Sequence, residues 1–190
     1  MRILKLFRMG MLKKFNMLSL SQQDAIDYLR TAKKNLIRSE LLNKREWNQI
    51  NKVPFAFSLN NRFKTIAGQL SYKTQEDAIS FSHMKYIGGQ LCQPHIEISP
   101  TYISWVSHKE VFDTISHEYA HLIHDILTND IDDDTASNYH NPLWRAIHKF
   151  MGGTGNQYKE NYIPNAKREN ICNRILKNFG EPMIITKEIL

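Results

Sequence analysis

The pattern of hydrophobic and polar positions divides the chain into helical and extended segments. Apolar residues at helical spacing predict a helix over residues 22–43, and Ser21 with Asp24 three positions later can cap its start. Alternating apolar and polar positions predict three strands, over residues 53–59, 64–72 and 94–99. Gly68 inside the second strand predicts a bulge or a close approach of another part of the backbone.

The second half of the chain is predicted to be mostly helical. A run of apolar residues at helical spacing begins near His108 and contains no Pro or Gly. Asn141 followed by Pro142 is typical of a helix start, and a last helix is predicted near residues 166–178. These elements predict an α+β fold, in which a short antiparallel sheet packs against one long helix and its flanking helices.

Residues 117–121 carry the most informative chemistry of the chain, an H-E-x-x-H motif within the long predicted helix. Residues four apart on a helix lie on one face, so His117 and His121 can bind one zinc ion together. Glu118 lies beside the first histidine and can take a proton from water without binding the metal itself. The motif therefore indicates metal-assisted hydrolysis of an amide bond. Two histidines on a helix surface without a metal are the alternative interpretation.

A catalytic zinc site needs a third protein ligand and one open position. His140 is the favoured candidate because it directly precedes the helix that starts at Asn141, and the apolar side of that helix can hold the His140 backbone in place. The sequence therefore predicts one catalytic Zn²⁺, with Glu118 as the general base and three ligands, His117, His121 and His140.

Three other residues are alternatives for the third ligand. His124 shares the histidine face of the long helix, but it lies about 10 Å along the helix axis from His117, so we expect it to be a polar residue with another partner. His148 lies beside apolar Ile147 and is expected to be a hydrogen-bonded histidine on the side of its helix. Glu160 is disfavoured because the residues around it have little helical character.

Two further features are open to interpretation. The acidic loop that includes residues 130–134 can bind a second cation such as Ca²⁺, although its spacing fits no calcium-loop pattern and a solvated loop is favoured. A donor to the oxyanion that develops during hydrolysis would come from one of three tyrosines, Tyr139, Tyr158 and Tyr162. Each of these tyrosines is more easily explained as a packing residue.

The order of these motifs resembles the SprT-like zinc metalloproteases, the family to which Spartan, the eukaryotic DNA–protein crosslink protease, belongs. The family pattern is H-E-x-x-H, an acidic loop and then H-G-P-x-aromatic. Residues 117–121 and 140–144 are similar to it, with Asn141 in place of the usual Gly. Upstream, residues 61–68 are similar to the family's Arg-then-Ala-Gly strand, and residues 95–100 are similar to the strand before the active-site helix.

The resemblance covers roughly residues 24–150 and implies both a fold and an activity. It implies a small zincin-like SprT domain that acts as a zinc-dependent endopeptidase on DNA-associated or DNA-crosslinked proteins. It also implies that residues 96–99 pair with an extended substrate by strand addition, which would make sequence specificity loose. A protease of the same fold with targets unrelated to DNA is one alternative, and a non-catalytic zinc or nucleic-acid-binding module is another.

Charge is unevenly distributed along the 190 residues, whose net charge is +6. Residues 1–46 carry 11 basic and 4 acidic residues, residues 47–142 carry 6 and 11, and residues 143–190 carry 8 and 4. Basic ends suit sequence-independent contacts with DNA phosphates, so DNA is an expected partner beside the protein substrate. Solvation of helix faces by the same lysines and arginines is an equal alternative. The sequence does not define an oligomeric state.

The length of the chain predicts one domain with tails. We expect a basic N-terminal tail or helix over residues 1–20, a SprT-like metalloprotease domain over 21–155, and a basic C-terminal extension with a helix over 156–190. Only Cys92 and Cys172 are cysteines, which gives no disulfide framework and predicts a reducing intracellular compartment, the cytoplasm, nucleoid or nucleus. No segment approaches the roughly 20 apolar residues of a transmembrane helix.

Overall fold

The structure is a computed structural model that describes residues 19–131, 140–155 and 169–190. Its helices are α1 (Gln22–Arg38), α2 (Lys44–Ile50), α3 (Pro100–Ile103), α4 (His108–Thr128), α5 (Pro142–Phe150) and α6 (Glu169–Phe179). Its strands are β1 (Phe55–Leu59), β2 (Gly68–Lys73), β3 (Lys85–Ile87), β4 (Gln90–Ile98) and β5 (Met183–Ile185), and a short 3-10 helix (Phe81–His83) precedes β3. The predicted α+β class is confirmed.

The strands form a sheet in the order β2, β4, β1, β5, and β3 also pairs with β4. Most pairs are antiparallel, but β1 and β4 run parallel to each other. The parallel pair arises because the chain leaves β1 and forms β2 first, and β4 then enters between them, antiparallel to β2. The sheet is therefore mixed rather than purely antiparallel.

Strand β4 lies in the interior of the sheet. Ile96 is paired with Phe57 of β1 on one side and with Leu70 of β2 on the other. Just beyond the strand, the Ser99 amide donates to the Ala67 carbonyl at 2.9 Å. The expectation that residues 96–99 pair with a substrate strand is therefore wrong, because both sides of this segment already have protein partners. The strand at this end of the sheet is β2.

The first predicted helix is shorter in the structure. Its start is confirmed, since Ser21 and Asp24 form a reciprocal capping box. However, α1 ends at Arg38, five residues before the predicted end at residue 43. Helix α2 was not predicted, because the capping box between Asn43 and Glu46 that starts it depends on side chains rather than on hydrophobic periodicity.

Helix α4 packs across one face of the sheet and forms the centre of the molecule. Its apolar side is buried against β1 and β4, and the Tyr119 ring stacks on Phe55 with the ring centroids 5.5 Å apart. Helices α1 and α5 cover α4 from other sides, and Phe179 of α6 packs on Phe57 of β1. The hydrophobic core therefore surrounds the helix that carries the H-E-x-x-H motif.

The structure also bears on the cysteines and on membrane-spanning helices. Cys92 and Cys172 are both free and buried, as expected for cysteines that serve as packing residues. None of the helices within the described ranges is long and apolar enough to cross a bilayer.

The core predicts a large difference between two isoleucines. Ile115 of α4 is fully buried, whereas Ile37 of α1 is 49% exposed. Ile115→Ala is expected to lower the free energy of unfolding by about 2–5 kcal/mol, because it leaves a cavity in the core. The matched control, Ile37→Ala, should lower it by less than about 1 kcal/mol. Urea unfolding followed by circular dichroism measures both, and equal losses would contradict this position of α4.

Candidate metal centre

Helix α4 carries polar residues into the interior of the protein. A capping box between Ser107 and Glu110 fixes its start, and Asn129 ends it in the left-handed conformation at φ 54°. Between these ends, the side chains of the motif are nearly closed off from solvent: His117 is 9% exposed, Glu118 7% and His121 8%. Buried polar groups of this kind need partners, and the neighbouring elements supply them.

Three imidazoles meet at one point beside α4. The Nε2 atom of His117 lies 3.3 Å from Nε2 of His121 and 3.3 Å from Nε2 of His140. Within the described residues, these three side chains are the group whose ligand atoms, all within 4.8 Å of one another, could hold a metal ion. The structure therefore brings together the three histidines that the sequence predicts as ligands.

The separation of these nitrogens fits zinc. Two nitrogens bound at 2.0–2.1 Å to a tetrahedral ion stand about 3.3–3.4 Å apart. The donors are also chemically suitable, because imidazole nitrogen is a common ligand of zinc. Three protein donors leave one tetrahedral position for water or substrate, which is the pattern of catalytic rather than structural zinc sites.

His140 is held mainly by the helix that follows it. The Arg145 side chain donates from Nε to the His140 carbonyl oxygen at 2.9 Å. Trp144, which is fully buried, lies against all three imidazoles, with its ring centroid 4.3 Å from His140, 4.7 Å from His117 and 5.0 Å from His121. The apolar anchor expected for the His140 backbone is therefore Trp144.

Glu118 is positioned by the edge of the sheet. The backbone amide of Leu70 in β2 donates to its Oε2 atom at 2.9 Å. Gly68 makes this contact possible, because a Cβ atom there would stand 3.2 Å from Cγ of Glu118 and 2.9 Å from Cδ1 of Ile98. A close contact at Gly68 is thus present, but side chains of β4 and α4 make it rather than the backbone segment that was predicted.

A cavity of about 530 Å³ opens beside the histidines. It is lined by the motif residues and by residues of β2 from Gly68 to Leu70. Further lining residues come from β2, from α4 toward its C-terminus and from the start of α5, and they include Tyr72, His124, Asp125, Asp130 and Asn141. The carboxylate of Glu118 and the imidazoles of His117 and His121 thus line a space that a substrate can enter.

The environment favours neutral imidazoles. Burial, with the nearby His140 as the next cause, lowers the pKa of His121 to about 3. Burial also lowers the pKa of His140, with the Arg145 guanidinium as the next cause. At neutral pH these rings are therefore uncharged and offer a lone pair, which is the form that binds a metal.

The comparison with known families decides the identity of the domain. The sequence model of the SprT-like family matches residues 36–167. The chain belongs to the SprT-like family. The SprT-like family is typically associated with zinc, and membership suggests a domain of the zinc metalloprotease type. Neither a curated protein nor a solved structure matches the chain.

Two of the alternatives for the third ligand in this SprT-like site, His124 and His148, have other partners in the structure. His124 lies outside the group of converging nitrogens, and its Nε2 atom is 2.8 Å from Asn141 Nδ2. His148 is fully buried behind His117, with Nε2 3.3 Å from an Asp113 carboxylate oxygen. Glu160, the three tyrosines and Asp132–Asp134 lie outside the described residues. Asp130 lines the cavity.

Two contacts of the SprT-like site were not predicted from the sequence: the hydrogen bond from the Leu70 amide to Glu118 and the contact between His124 and Asn141. The amide of Leu70 carries no side-chain signature, and its contact with Glu118 depends on the edge position of β2. The bond between His124 and Asn141 was also missed. A signal for it was present, since both residues are polar and Asn141 departs from the glycine usual in the family.

The low pKa of His121 predicts acid sensitivity of the metal-free protein. Because the folded pKa, about 3, lies below the ordinary value of 6.5, the unfolded chain binds an extra proton between these pH values. Stability is therefore fully present above pH 6.5 and falls as the pH drops. At pH 5 the loss from this one group is about 2 kcal/mol.

Urea unfolding in the presence of a chelator, at pH 7.5 and pH 5, measures this loss. The His121→Gln variant is the control, because its side chain cannot titrate in this range. The wild-type protein should lose about 2 kcal/mol more than the variant over this interval. Equal losses in the two proteins would show that His121 is not buried as a neutral ring.

Proposed function

We propose that the chain is a zinc-dependent endopeptidase of the SprT-like type, in which His117, His121 and His140 hold one Zn²⁺ and Glu118 is the general base. One observation carries the proposal. Three imidazole nitrogens converge within 4.8 Å of one another, the two separations from His117 match a tetrahedral zinc site, and a buried glutamate and an open cavity lie directly beside them. DNA-associated or DNA-crosslinked proteins are the proposed substrates.

The residues around the site have separate tasks. A zinc ion in this position would supply Lewis acidity, which makes water more acidic and polarises a peptide carbonyl. Glu118 accepts the proton of the attacking water and delivers it to the leaving amine. The Leu70 amide, 2.9 Å from Oε2, orients the carboxylate beside the histidines and the cavity that Glu118 lines. A purely structural zinc site has no use for such a base.

Strand β2 is suited to hold an extended substrate. It is the terminal strand on its side of the sheet, and its residues Gly68, Gln69 and Leu70 line the cavity next to Glu118. An extended peptide that adds to this edge by backbone hydrogen bonds would pass directly over the site. Recognition through the backbone would make specificity for sequence loose, so selection would depend on access and recruitment.

The charge of the cavity supports a polypeptide substrate. Among the described residues, the lining side chains that carry charge at neutral pH, apart from the histidines, are the carboxylates of Glu118, Asp125 and Asp130. Such a lining repels phosphates and attracts lysine and arginine side chains, which are abundant in proteins that bind DNA. DNA itself would therefore bind elsewhere on the domain.

A basic surface at the junction of α1 and α2 supports the contact with DNA. Its members are exposed and lie within 12 residues of each other in the chain: Lys34, Arg38, Lys44 and Arg45. Lysines and arginines of this kind bind phosphates without reading the nucleotide sequence.

A SprT-like protease with targets unrelated to DNA is the second candidate. The acidic cavity suits a basic polypeptide whether or not DNA is present.

Two substitutions test the proposed chemistry. Glu118→Gln should retain zinc and reduce cleavage of a basic protein substrate by at least about 10²-fold, because the general base is lost. His140→Ala should reduce zinc affinity itself, since one of three ligands is removed. Metal analysis after dialysis and gel-based cleavage assays measure both effects. Full zinc content together with full activity in His140→Ala would refute the ligand assignment.

The basic surface generates a prediction about DNA. Neutralising Lys34, Arg38, Lys44 and Arg45 to glutamine should weaken binding of single-stranded DNA and lower the salt dependence of log K by up to about 3. Cleavage without DNA should stay unchanged, because these residues do not line the cavity. Lys85→Gln on β3 is the control. Cleavage by the wild-type protein that is indifferent to DNA would favour the second candidate.

A further inference from the structure

A continuous set of hydrogen bonds joins three walls of the cavity. The Trp144 amide in α5 donates to Asn141 Oδ1 at 2.9 Å, and Asn141 Nδ2 lies 2.8 Å from His124 Nε2 in α4. His124 Nδ1 then lies 3.1 Å from Asp125 Oδ1, and the Tyr72 hydroxyl of β2 donates to Asp125 Oδ2 at 2.5 Å. Asn141, a member of this set, directly follows His140 in the chain.

The partners in this set fix the direction of each bond. Asn141 Oδ1 accepts from Trp144, so the atom that faces His124 is the amide nitrogen, which can only donate. His124 Nε2 must therefore accept, and the proton of the neutral ring is on Nδ1, where it is donated to Asp125. Every donor meets an acceptor, so the arrangement of His124 and Asn141 has one consistent assignment.

Burial makes this arrangement rigid. His124 is 9% exposed and Asp125 is 8% exposed, so water has little access to replace these bonds. A fully satisfied polar network in such surroundings restricts the orientation of each member. Tyr72 of the sheet adds a second restraint on Asp125. Asp125 in turn holds the Nδ1 side of the His124 ring.

The other contacts that hold His140 come mostly from its own helix. Arg145 and Trp144 both belong to α5, so they fix His140 relative to α5. Trp144 also packs against the α4 histidines, but ring packing constrains distance more than direction. The bond from Asn141 to His124 is directional and crosses from the start of α5 to α4, which carries the other two imidazoles.

We propose that His124 is a positioning residue of the metal centre, which acts through Asn141 to hold His140 at the distance that zinc requires from His117 and His121. This inference rests on the proposed function only for the identity of the zinc ligands, and it does not depend on peptidase activity. Residues that orient metal ligands in this way typically change metal affinity 10- to 100-fold when they are lost.

Three substitutions separate this role from a general effect on folding. Asn141→Ser keeps a good N-cap for α5 but is too short to reach His124. His124→Leu removes the acceptor, whereas His124→Gln places an amide oxygen near the position of Nε2 and can still accept from Asn141. The double variant His124→Leu/Asn141→Ser tests whether the two residues act through one bond.

Zinc affinity is measured by competition with a chromophoric chelator, and the Co²⁺-substituted proteins are compared by visible absorption. Asn141→Ser and His124→Leu should each bind zinc at least about 10-fold more weakly than wild type and show an altered Co²⁺ spectrum. The double variant should be no weaker than the weaker single variant. His124→Gln should stay within about 3-fold of wild type and keep its spectrum, since the bond is retained.

Several outcomes would overturn the inference. Wild-type affinity in Asn141→Ser, losses that simply add in the double variant, or a failure of His124→Gln to restore affinity would each do so. The melting temperature of the metal-free proteins identifies any variant that fails to fold, and if His124→Leu is one, Asn141→Ser and His124→Gln decide. A wild-type protein that binds no zinc refutes the proposed metal centre itself, which is a different result from variants that match a zinc-binding wild type.

Discussion

The burial of helix α4 with a polar face is the constraint on which the rest of the structure depends. The helix packs between the sheet and α5, and its central residues are almost closed to solvent, although they include two histidines and a glutamate of the motif. A buried polar group without a partner costs about 1–3 kcal/mol. The surrounding elements supply partners for several of these groups, and this requirement shapes what lies around the site.

The partners come from different parts of the chain. Glu118 receives the Leu70 amide from the sheet edge, and His124 receives the Asn141 amide from the start of α5. Asp113, one turn of α4 before His117, accepts from the Thr154 amide at 2.8 Å. The sheet, α5 and the segment after α5 are thus each tied to α4 through a polar contact. The site and the packing of the fold are consequences of the same contacts.

Local signals explain what the sequence could reveal. Ser21 with Asp24, and Asn141 with Pro142, mark helix starts through side chains and backbone preferences that act within a few residues, and the structure has helices at both places. The grouping of His117, His121 and His140 followed from helix geometry and from the well-anchored start of α5. Gly68 revealed a close approach because only a missing Cβ permits one.

What the sequence did not reveal depends on contacts between distant segments. The interior position of β4 follows from its insertion between β1 and β2, which alternation of apolar residues does not encode. The strands β3 and β5 are three residues each, too short for a periodic pattern. The contacts of His124 with Asn141 and of Glu118 with Leu70 join residues 17 and 48 positions apart. A local sequence pattern carries no information on contacts between residues so far apart in the chain.

The three converging imidazoles suit a coupling between metal binding and folding. The Nε2 atom of His117 stands 3.3 Å from Nε2 of His121 and 3.3 Å from Nε2 of His140, and a proton on one nitrogen can be shared with only one neighbour at a time. A cation at their centre would satisfy all three rings at once. The free energy of binding such an ion would then add to the stability of the packed helices α4 and α5.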